Sequence, residues 1–202
     1  MNKVRLPDDR ELRCYDTNVE IRGEGESRKI FGYAAKFNVL SRTIGWFKEQ
    51  ISPGAFDDVL EQDVVALLNH NENFVLARTL SKTLTIGVDG TGLYYEFEAP
   101  NTTVGNDLIE NVRSGDIQHS SFSFSIAPGG DSWTEDEEGN EIRTVKKLKR
   151  LYDVAPVVFP AYLDATVGMA KRSYDQWKKD NQPEYDDLQD FEEDLQLRKM
   201  LL

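Results

Sequence analysis

Histidine and cysteine are scarce in this sequence, and the scarcity limits the chemistry that its side chains can carry. The chain has 202 residues, of which one is cysteine and two are histidine. A single cysteine, Cys14, excludes an internal disulfide and is typical of a protein from a reducing compartment. The two histidines, His70 and His119, lie far from Cys14 and from each other, so the spacing of a zinc site is absent. We therefore expect neither a metal nor another cofactor.

Long apolar runs, clustered basic residues and nucleotide-binding motifs are also missing. No run approaches the roughly 20 apolar residues of a membrane-spanning helix, and the first residues lack the apolar region of a signal peptide. We therefore expect a cytoplasmic chain with no membrane partner. The net charge of −12 argues against nucleic acid as a partner, because phosphate backbones require clustered lysine and arginine. The motifs GxGxxG, GxxxxGK[ST] and GxSxG do not occur.

The sequence is instead rich in short segments in which apolar and polar residues alternate, the pattern of half-buried strands. The clearest are KIFGYAAKFNVLS, TLTIGV with LYYEFEA, and HSSFSFSI, and the apolar run VVALLN is read as a buried strand. Apolar residues at helical spacing predict one helix over residues 52–63, and TTVGNDLIENVRSG predicts a second helix that ends at Gly115. The pattern predicts a mainly β, α+β fold: an antiparallel barrel or sandwich with peripheral helices.

Composition divides the chain into three parts. Residues 1–27 are polar and are read as a leader, residues 28–171 as the main domain, and residues 172–202 as an acidic tail. Eight acidic residues and no basic one lie between Asp180 and Asp194. Apolar residues keep near-helical spacing in the tail, at Tyr185, Leu188, Phe191 and Leu195. The tail is therefore predicted to be either a solvated helix or a disordered extension.

The stretch GDIQHSSFSFSI contains candidate nucleophiles. Strand alternation places Phe122 and Phe124 on one face, and places Ser121, Ser123 and Ser125 on the other. A serine is a weak nucleophile unless a base activates it. Most serines in strands simply coat a solvent-exposed or interstrand face, and the local pattern does not distinguish between the three.

A base and an acid can be sought elsewhere in the chain. His119 lies two residues before Ser121 on the same strand, where the two side chains splay apart, so we disfavour it. His70 follows the buried run VVALLN and could face a cleft, although on this pattern alone a surface histidine at a strand end is the favoured reading. Asp153 stands out among the carboxylates because it enters an otherwise apolar strand.

The order of six segments resembles the tailed-phage prohead (head maturation) protease family, which is distantly similar in fold to the herpesvirus assembly protease. The resemblance covers roughly residues 28 to 171, and its most telling pieces are PGAF, NH and FPAY. The segments are FGYAAKFNVLS, FKEQISPGAFDDVL, VVALLNHN, TLTIGVDGTGLYYEFEAP, NDLIENVRSGDIQHSSFSF and LYDVAPVVFPAYLDATV.

The resemblance implies a small closed antiparallel β-barrel of the herpesvirus-protease type and a Ser-His-Asp serine endopeptidase. It places the base on His70, the nucleophile on Ser121 and the third member on Asp153. Two positions depart from the family pattern: Ser123 replaces the usual glycine, and Ala155 stands where many relatives have serine. The extra hydroxyl at Ser123 leaves some ambiguity about the nucleophile.

The resemblance also implies a substrate and a place of action. Such enzymes trim the scaffold portion from the major capsid protein inside the immature head, in the host cytoplasm, and often cut themselves. The expected partners are the major capsid protein with its scaffold segment, and further copies of the chain itself. Two alternatives remain at this point: a catalytically silent capsid assembly or scaffolding factor with the same fold, and a small β-barrel binding module whose serine face is merely polar.

Overall fold

A computed structural model of the chain describes residues 9–15, 17–159 and 164–181, and these contain twelve strands and two helices. In chain order the elements are β1 (Glu11–Tyr15), β2 (Val19–Arg22), β3 (Lys29–Lys36), β4 (Phe47–Ile51), β5 (Val65–Leu67), β6 (Val75–Arg78), β7 (Leu84–Val88), β8 (Gly92–Glu98), α1 (Thr103–Ser114), β9 (His119–Ile126), β10 (Asp131–Glu135), β11 (Glu141–Val145), β12 (Leu148–Val157) and α2 (Asp164–Asn181). The prediction of a mainly β chain with a few helices is confirmed.

The strands form three sheets. The first has five strands in the order β1-β9-β12-β5-β6, the second has β10-β11-β4, and the third has β2-β3-β8-β7. Most pairs are antiparallel, but β12 with β5 and β11 with β4 are parallel. One continuous core joins the first and third sheets, because residues of both pack in the same apolar cluster, among them Ile30, Tyr95, Phe122 and Val154.

The predicted closed antiparallel barrel is not found in the described part of the chain. Each of the three sheets keeps two edge strands, and β1 and β6 are the edges of the first sheet. Alternating apolar residues predict that a segment is a strand and which face it buries, but not which strand lies beside it. The parallel pairs also need crossover connections, which no local pattern indicates.

The helix predicted over residues 52–63 is a series of turns. Its backbone hydrogen bonds join residues three apart, as from the Val59 amide to the Phe56 carbonyl, and Gly54 has a φ of 88°. A left-handed residue interrupts a helix in its first turn, so the favourable proline before it does not suffice. Ala55, Phe56 and Val59 are nevertheless buried in the core, as the apolar spacing indicates.

Helix α1 and the hairpin before it match the sequence prediction. β7 and β8 pair antiparallel across the turn, and α1 begins after Thr102, whose hydroxyl accepts a hydrogen bond from the Gly105 amide. Gly115 ends the helix with a φ of 81°. Glycine is favoured at such a left-handed C-terminal position because it has no Cβ to clash with the backbone.

Described segments of the predicted leader and of the predicted tail contribute to the folded body. Strands β1 and β2 lie within the predicted leader, and the predicted start of the tail falls inside α2. Tyr174 of α2 is buried in a second apolar cluster with Trp133 and Phe47. The apolar stripe predicted for the tail, from Tyr185 to Leu195, lies outside the described residues. Neither described helix is long and apolar enough to cross a lipid bilayer.

Candidate active site

The three residues singled out by the sequence lie on neighbouring elements of the first sheet. Ser121 is in β9, Asp153 is in the adjacent β12, and His70 follows the end of β5, which pairs with β12. In the register of β9 and β12, Asp153 is opposite Ser123, and Ala155 is opposite Ser121. Sheet pairing therefore places the carboxylate one strand away from the serine row.

These side chains form a chain of hydrogen bonds. Nε2 of His70 lies 2.7 Å from Oγ of Ser121, and Nδ1 of His70 lies 2.5 Å from Oδ1 of Asp153. His119 stands at the start of β9, where its backbone is opposite Val157. The arrangement links an acid, an imidazole and a hydroxyl in the order that acyl transfer requires.

Asp153 is the most constrained member of this arrangement. Its side chain is buried, and its second oxygen, Oδ2, accepts a hydrogen bond from the Ser123 hydroxyl and pairs with the Arg10 guanidinium. Burial alone would raise the pKa of the Asp153 carboxyl, but the hydrogen bond and charge of His70, helped by Ser123 and Arg10, hold that pKa below its ordinary value. The group is therefore held as a carboxylate that faces the imidazole.

A strained turn directs the imidazole toward the serine. Asn69 and His70 have φ values of 54° and 56°, in the left-handed region that few residues other than glycine and asparagine adopt. The Asn69 amide donates to the Pro156 carbonyl, and its side-chain oxygen accepts from the Val158 amide, both at 3.0 Å. These two bonds tie the turn to the end of β12, which also carries the acid.

We expect Asn69→Ala to lower activity more than Asn69→Gly. Alanine loses the bond to the Val158 amide and also opposes the left-handed backbone, at a cost of about 1–2 kcal/mol for the backbone alone. Glycine loses only the side-chain bond. Thermal unfolding and peptide cleavage of the two variants check this prediction, with Asn73→Ala, an exposed neighbour, as the control. Equal effects of alanine and glycine would show that the backbone strain is unimportant.

The serine face of β9 is not a solvent-exposed surface. Ser121, Ser123 and Ser125 are each 0% exposed; Ser121 contacts His70 and the Arg13 carbonyl, and Ser123 contacts Asp153. The apolar face carries Phe122 and Phe124, whose rings stack with centroids 4.8 Å apart. The alternative of a merely solvated serine row therefore does not describe this strand.

A cluster of five buried or nearly buried charges lies beside β1, and the sequence reading missed it. Arg13 contacts Glu49 through Nε at 2.6 Å and through Nη2 at 2.7 Å, and Nη2 also lies 2.7 Å from Glu11. Arg143 contacts Glu11 at 2.8 Å, Glu49 at 3.3 Å and Asp131 at 2.7 Å. Alternation in ELRCY shows only that Glu11 and Arg13 share one face of their strand, and nothing in it indicates that this face is the buried one.

Arg143→Met is expected to lower the free energy of unfolding by about 3–5 kcal/mol, because it leaves Glu11 and Glu49 to share Arg13 in a buried site and removes the arginine that pairs with Asp131. Arg143 is 2% exposed. The matched control is Arg78→Met, which breaks an ion pair with Asp63 at the surface and should cost far less stability. Urea unfolding of both variants gives the comparison, and equal losses would contradict the role of the cluster.

Acid is expected to destabilise the fold. Burial alone would raise the pKa of Glu11, but the charges of Arg13 and Arg143 hold it below its ordinary value, and the pKa of Asp153 is lowered as well. Because both folded pKa values are depressed, their stabilisation is complete above the unfolded values of 4.5 and 3.8 and is lost as the pH falls through the folded ones. Urea unfolding between pH 7 and pH 3 should show this loss, with a smaller slope in Glu11→Gln. A free energy of unfolding that does not fall as the pH is lowered would contradict this prediction.

The site contains no evident metal centre. In the parts of the chain that the structure describes, no group of three or more histidine, cysteine, aspartate or glutamate side chains could hold a metal ion.

Besides the three predicted residues, the structure adds Arg10 and Asn69 to the site. Arg10 pairs with Asp153, and Asn69 holds the turn that carries His70. Arg10 could not be found from the sequence, because it lies 143 positions from the carboxylate with which it pairs.

Comparison with known proteins assigns the chain to a family. The family model of the caudovirus prohead serine protease matches residues 15–180. Among solved structures, the bacteriophage T4 capsid assembly protease is similar to the chain at 16% sequence identity with a TM-score of 0.47, and the match covers 73% of this chain and 96% of that one. No curated protein matches the sequence. The family match spans most of the chain, and it confirms the resemblance read from the six ordered segments. The chain therefore belongs to the caudovirus prohead serine protease family.

Proposed function

We propose that the chain is a serine endopeptidase in which Ser121 is the nucleophile, His70 the general base and Asp153 the group that orients the imidazole. The observation that carries this proposal is the continuous hydrogen-bonded row from Asp153 through His70 to Ser121. Family membership supports a serine protease of capsid maturation. The assignment of the three roles is our own inference from the geometry.

The reaction follows from this row. Oγ of Ser121 attacks a peptide carbonyl carbon while Nε2 of His70 takes the hydroxyl proton, and the imidazolium then gives that proton to the leaving amine. Water, activated by the same imidazole, hydrolyses the acyl-enzyme and releases Ser121. Asp153 accepts from the Nδ1–H of His70 throughout, which fixes the tautomer and stabilises the imidazolium. No cofactor takes part in any of these steps.

The proposed substrate is the scaffold portion of the major capsid protein, cleaved inside the immature prohead in the host cytoplasm. The family description supports the compartment, because it names the enzymes as prohead proteases. Self-cleavage and association with further copies of the chain belong to the same proposal. Nucleic acid and membranes are not among the proposed partners, in keeping with the net charge of −12.

Co-expression with the cognate capsid protein tests this function. Intact-mass measurement of the capsid protein should reveal trimmed chains when the wild-type enzyme is present, and full-length chains when the enzyme is omitted. Labelling with a fluorophosphonate, followed by peptide mapping, should identify Ser121 as the modified residue. A full-length capsid protein together with an unlabelled Ser121 would favour the catalytically silent assembly factor or the simple binding module.

A further inference from the structure

Exposed apolar side chains are concentrated around the turn that carries His70. Eight large apolar side chains are exposed in the part of the chain that the structure describes, and four of them lie at this turn. They are Phe74, Val75, Val158 and Phe159, and we call them the apolar rim. Single exposed apolar residues are ordinary on a protein surface, but a group of them at one place marks a contact site for another molecule.

Hydrogen bonds attach the apolar rim to the His70 turn on both sides. On one side, the Asn69 side-chain oxygen accepts from the Val158 amide at 3.0 Å, which holds the end of β12 against the turn. On the other side, the Leu68 amide donates to the Phe74 carbonyl at 3.1 Å. The rim therefore keeps a fixed position beside the imidazole. A surface that is fixed before binding loses little conformational entropy when a ligand arrives.

Strand register places part of the apolar rim on the face that carries the nucleophile. Residues directly opposite each other in paired strands point to the same face of a sheet. Asp153 lies on the serine face and is opposite Val65 of β5. Leu67, two residues after Val65, shares that face, and it is opposite Val75 of β6. Val75 is therefore three strand spacings from Ser121, or ~14 Å, a distance that an extended peptide covers with about four residues.

The catalytic row reaches solvent on the side of the apolar rim. The His70 side chain is 13% exposed, whereas those of Ser121 and Asp153 are buried. In acyl transfer the imidazolium gives its proton to the leaving amine, so that amine must lie beside Nε2 of His70. The part of a substrate that follows the cleaved bond is consequently directed toward the rim.

We propose that the apolar rim binds the segment of the substrate that follows the cleaved bond, and that this segment carries a large apolar side chain within about four residues of the bond. The proposal rests on the function proposed above, with Ser121 as the nucleophile. The four rim side chains carry no charge, so the rim would select a substrate by the apolar area that it buries.

A peptide segment suits the apolar rim better than a second copy of the chain does. The rim borders the catalytic row, where a substrate has to lie during the reaction. A stable interface between two proteins buries about 1,200–2,000 Å² in total, and four partly exposed side chains supply only a small part of that area. One apolar side chain of an extended peptide needs no more surface than the rim offers.

The bond that is cleaved in the capsid protein gives the first test. Intact mass from the co-expression experiment locates this bond, and a large apolar residue should lie among the first four residues after it. The capsid protein and a version with serine at that residue are then co-expressed with the enzyme as competing substrates. The unaltered version should be processed about 10- to 100-fold faster, as expected for burial of one large apolar side chain.

Variants of the enzyme give the second test. The double variant Phe74→Ser with Phe159→Ser should bring the ratio of the two processing rates close to one, because it removes both aromatic rings of the rim. Leu80→Ser is the matched control: Leu80 is 71% exposed, more than Phe159 at 66%, but it lies beyond the other end of β6. This control should preserve the ratio. All three altered side chains are exposed, and thermal unfolding checks that each variant is folded.

The outcomes separate this inference from the proposed function. A cleaved bond that no large apolar residue follows within four positions would overturn the inference and leave the function standing. So would a wild-type ratio near one, or a double variant that keeps the wild-type ratio. A wild-type dimer that dissociates in the double variant without a change in the ratio would make the rim a self-association surface and would also overturn it. If the capsid protein stays uncleaved and Ser121 stays unlabelled, the proposed function itself fails.

Discussion

Ser121→Ala is expected to reduce proteolysis by about a millionfold, the size of effect seen when a serine nucleophile is removed from a triad. The Ser121 hydroxyl lies 2.7 Å from the His70 ring nitrogen Nε2. Ser123 instead donates to Oδ2 of Asp153, and it is one of two groups on that oxygen. Loss of the Ser123 hydroxyl should therefore lower the rate of proteolysis by about fivefold, the equivalent of one net hydrogen bond of roughly 1 kcal/mol.

The comparison of the two serines is the measurement that assigns the nucleophile. Ser123→Ala and Ser123→Gly serve as matched controls, because both serines are buried in the same strand. Capsid-protein processing and fluorophosphonate labelling should be lost in Ser121→Ala and retained in both Ser123 variants. Processing and labelling that are lost in the Ser123 variants but retained in Ser121→Ala would reverse the assignment.

Asp153→Asn is expected to lower kcat by about 10⁴-fold with little change in KM. The amide no longer holds the Nδ1–H tautomer of His70, and it does not stabilise the imidazolium that forms when Ser121 gives up its proton. The Asp153 side chain is buried, and its two oxygens are occupied by His70, Ser123 and Arg10. Binding should therefore be affected less than the chemical step.

Stability has to be measured alongside the kinetics of this variant. Arg10 loses the charge with which it pairs, although Glu72 remains 3.8 Å from its Nη1 atom. Circular dichroism and thermal unfolding show whether the fold is retained, and Asp63→Asn controls for the change at an exposed carboxylate. A folded Asp153→Asn enzyme with near-wild-type kcat would show that another group orients His70.

Local patterns allowed several elements to be predicted. The strands of the β7–β8 hairpin and helix α1 depend on neighbouring residues alone: alternation in the first case, and Thr102 and Gly115 as end residues in the second. The inward face of β9 is predicted in the same way, from the spacing of Phe122 and Phe124. Such signals are short-range, so they can be recognised without knowledge of the rest of the fold.

The candidate site was only partly accessible to this reasoning. His70, Ser121 and Asp153 could be named as suitable side chains, and the family resemblance singled them out, but Ser121 and Asp153 lie 51 and 83 positions from His70. Their contact depends on the order β9-β12-β5 in the first sheet. No periodicity in the chain specifies that order. The closed barrel that the family resemblance implied is not found among the described residues.

The sequence by itself determined several of the strands, among them β3, β7, β8 and β9, as well as where α1 begins and ends and which side chains could perform acyl transfer. These properties follow from covalent geometry and side-chain polarity over a few residues. The tertiary structure alone decided that polar residues near the start of the chain, Glu11 and Arg13 among them, are buried rather than solvated, because their counter-charges Glu49 and Arg143 arrive from distant strands. Burial of charge is stable only when such partners meet, and that meeting depends on the packing of the whole chain.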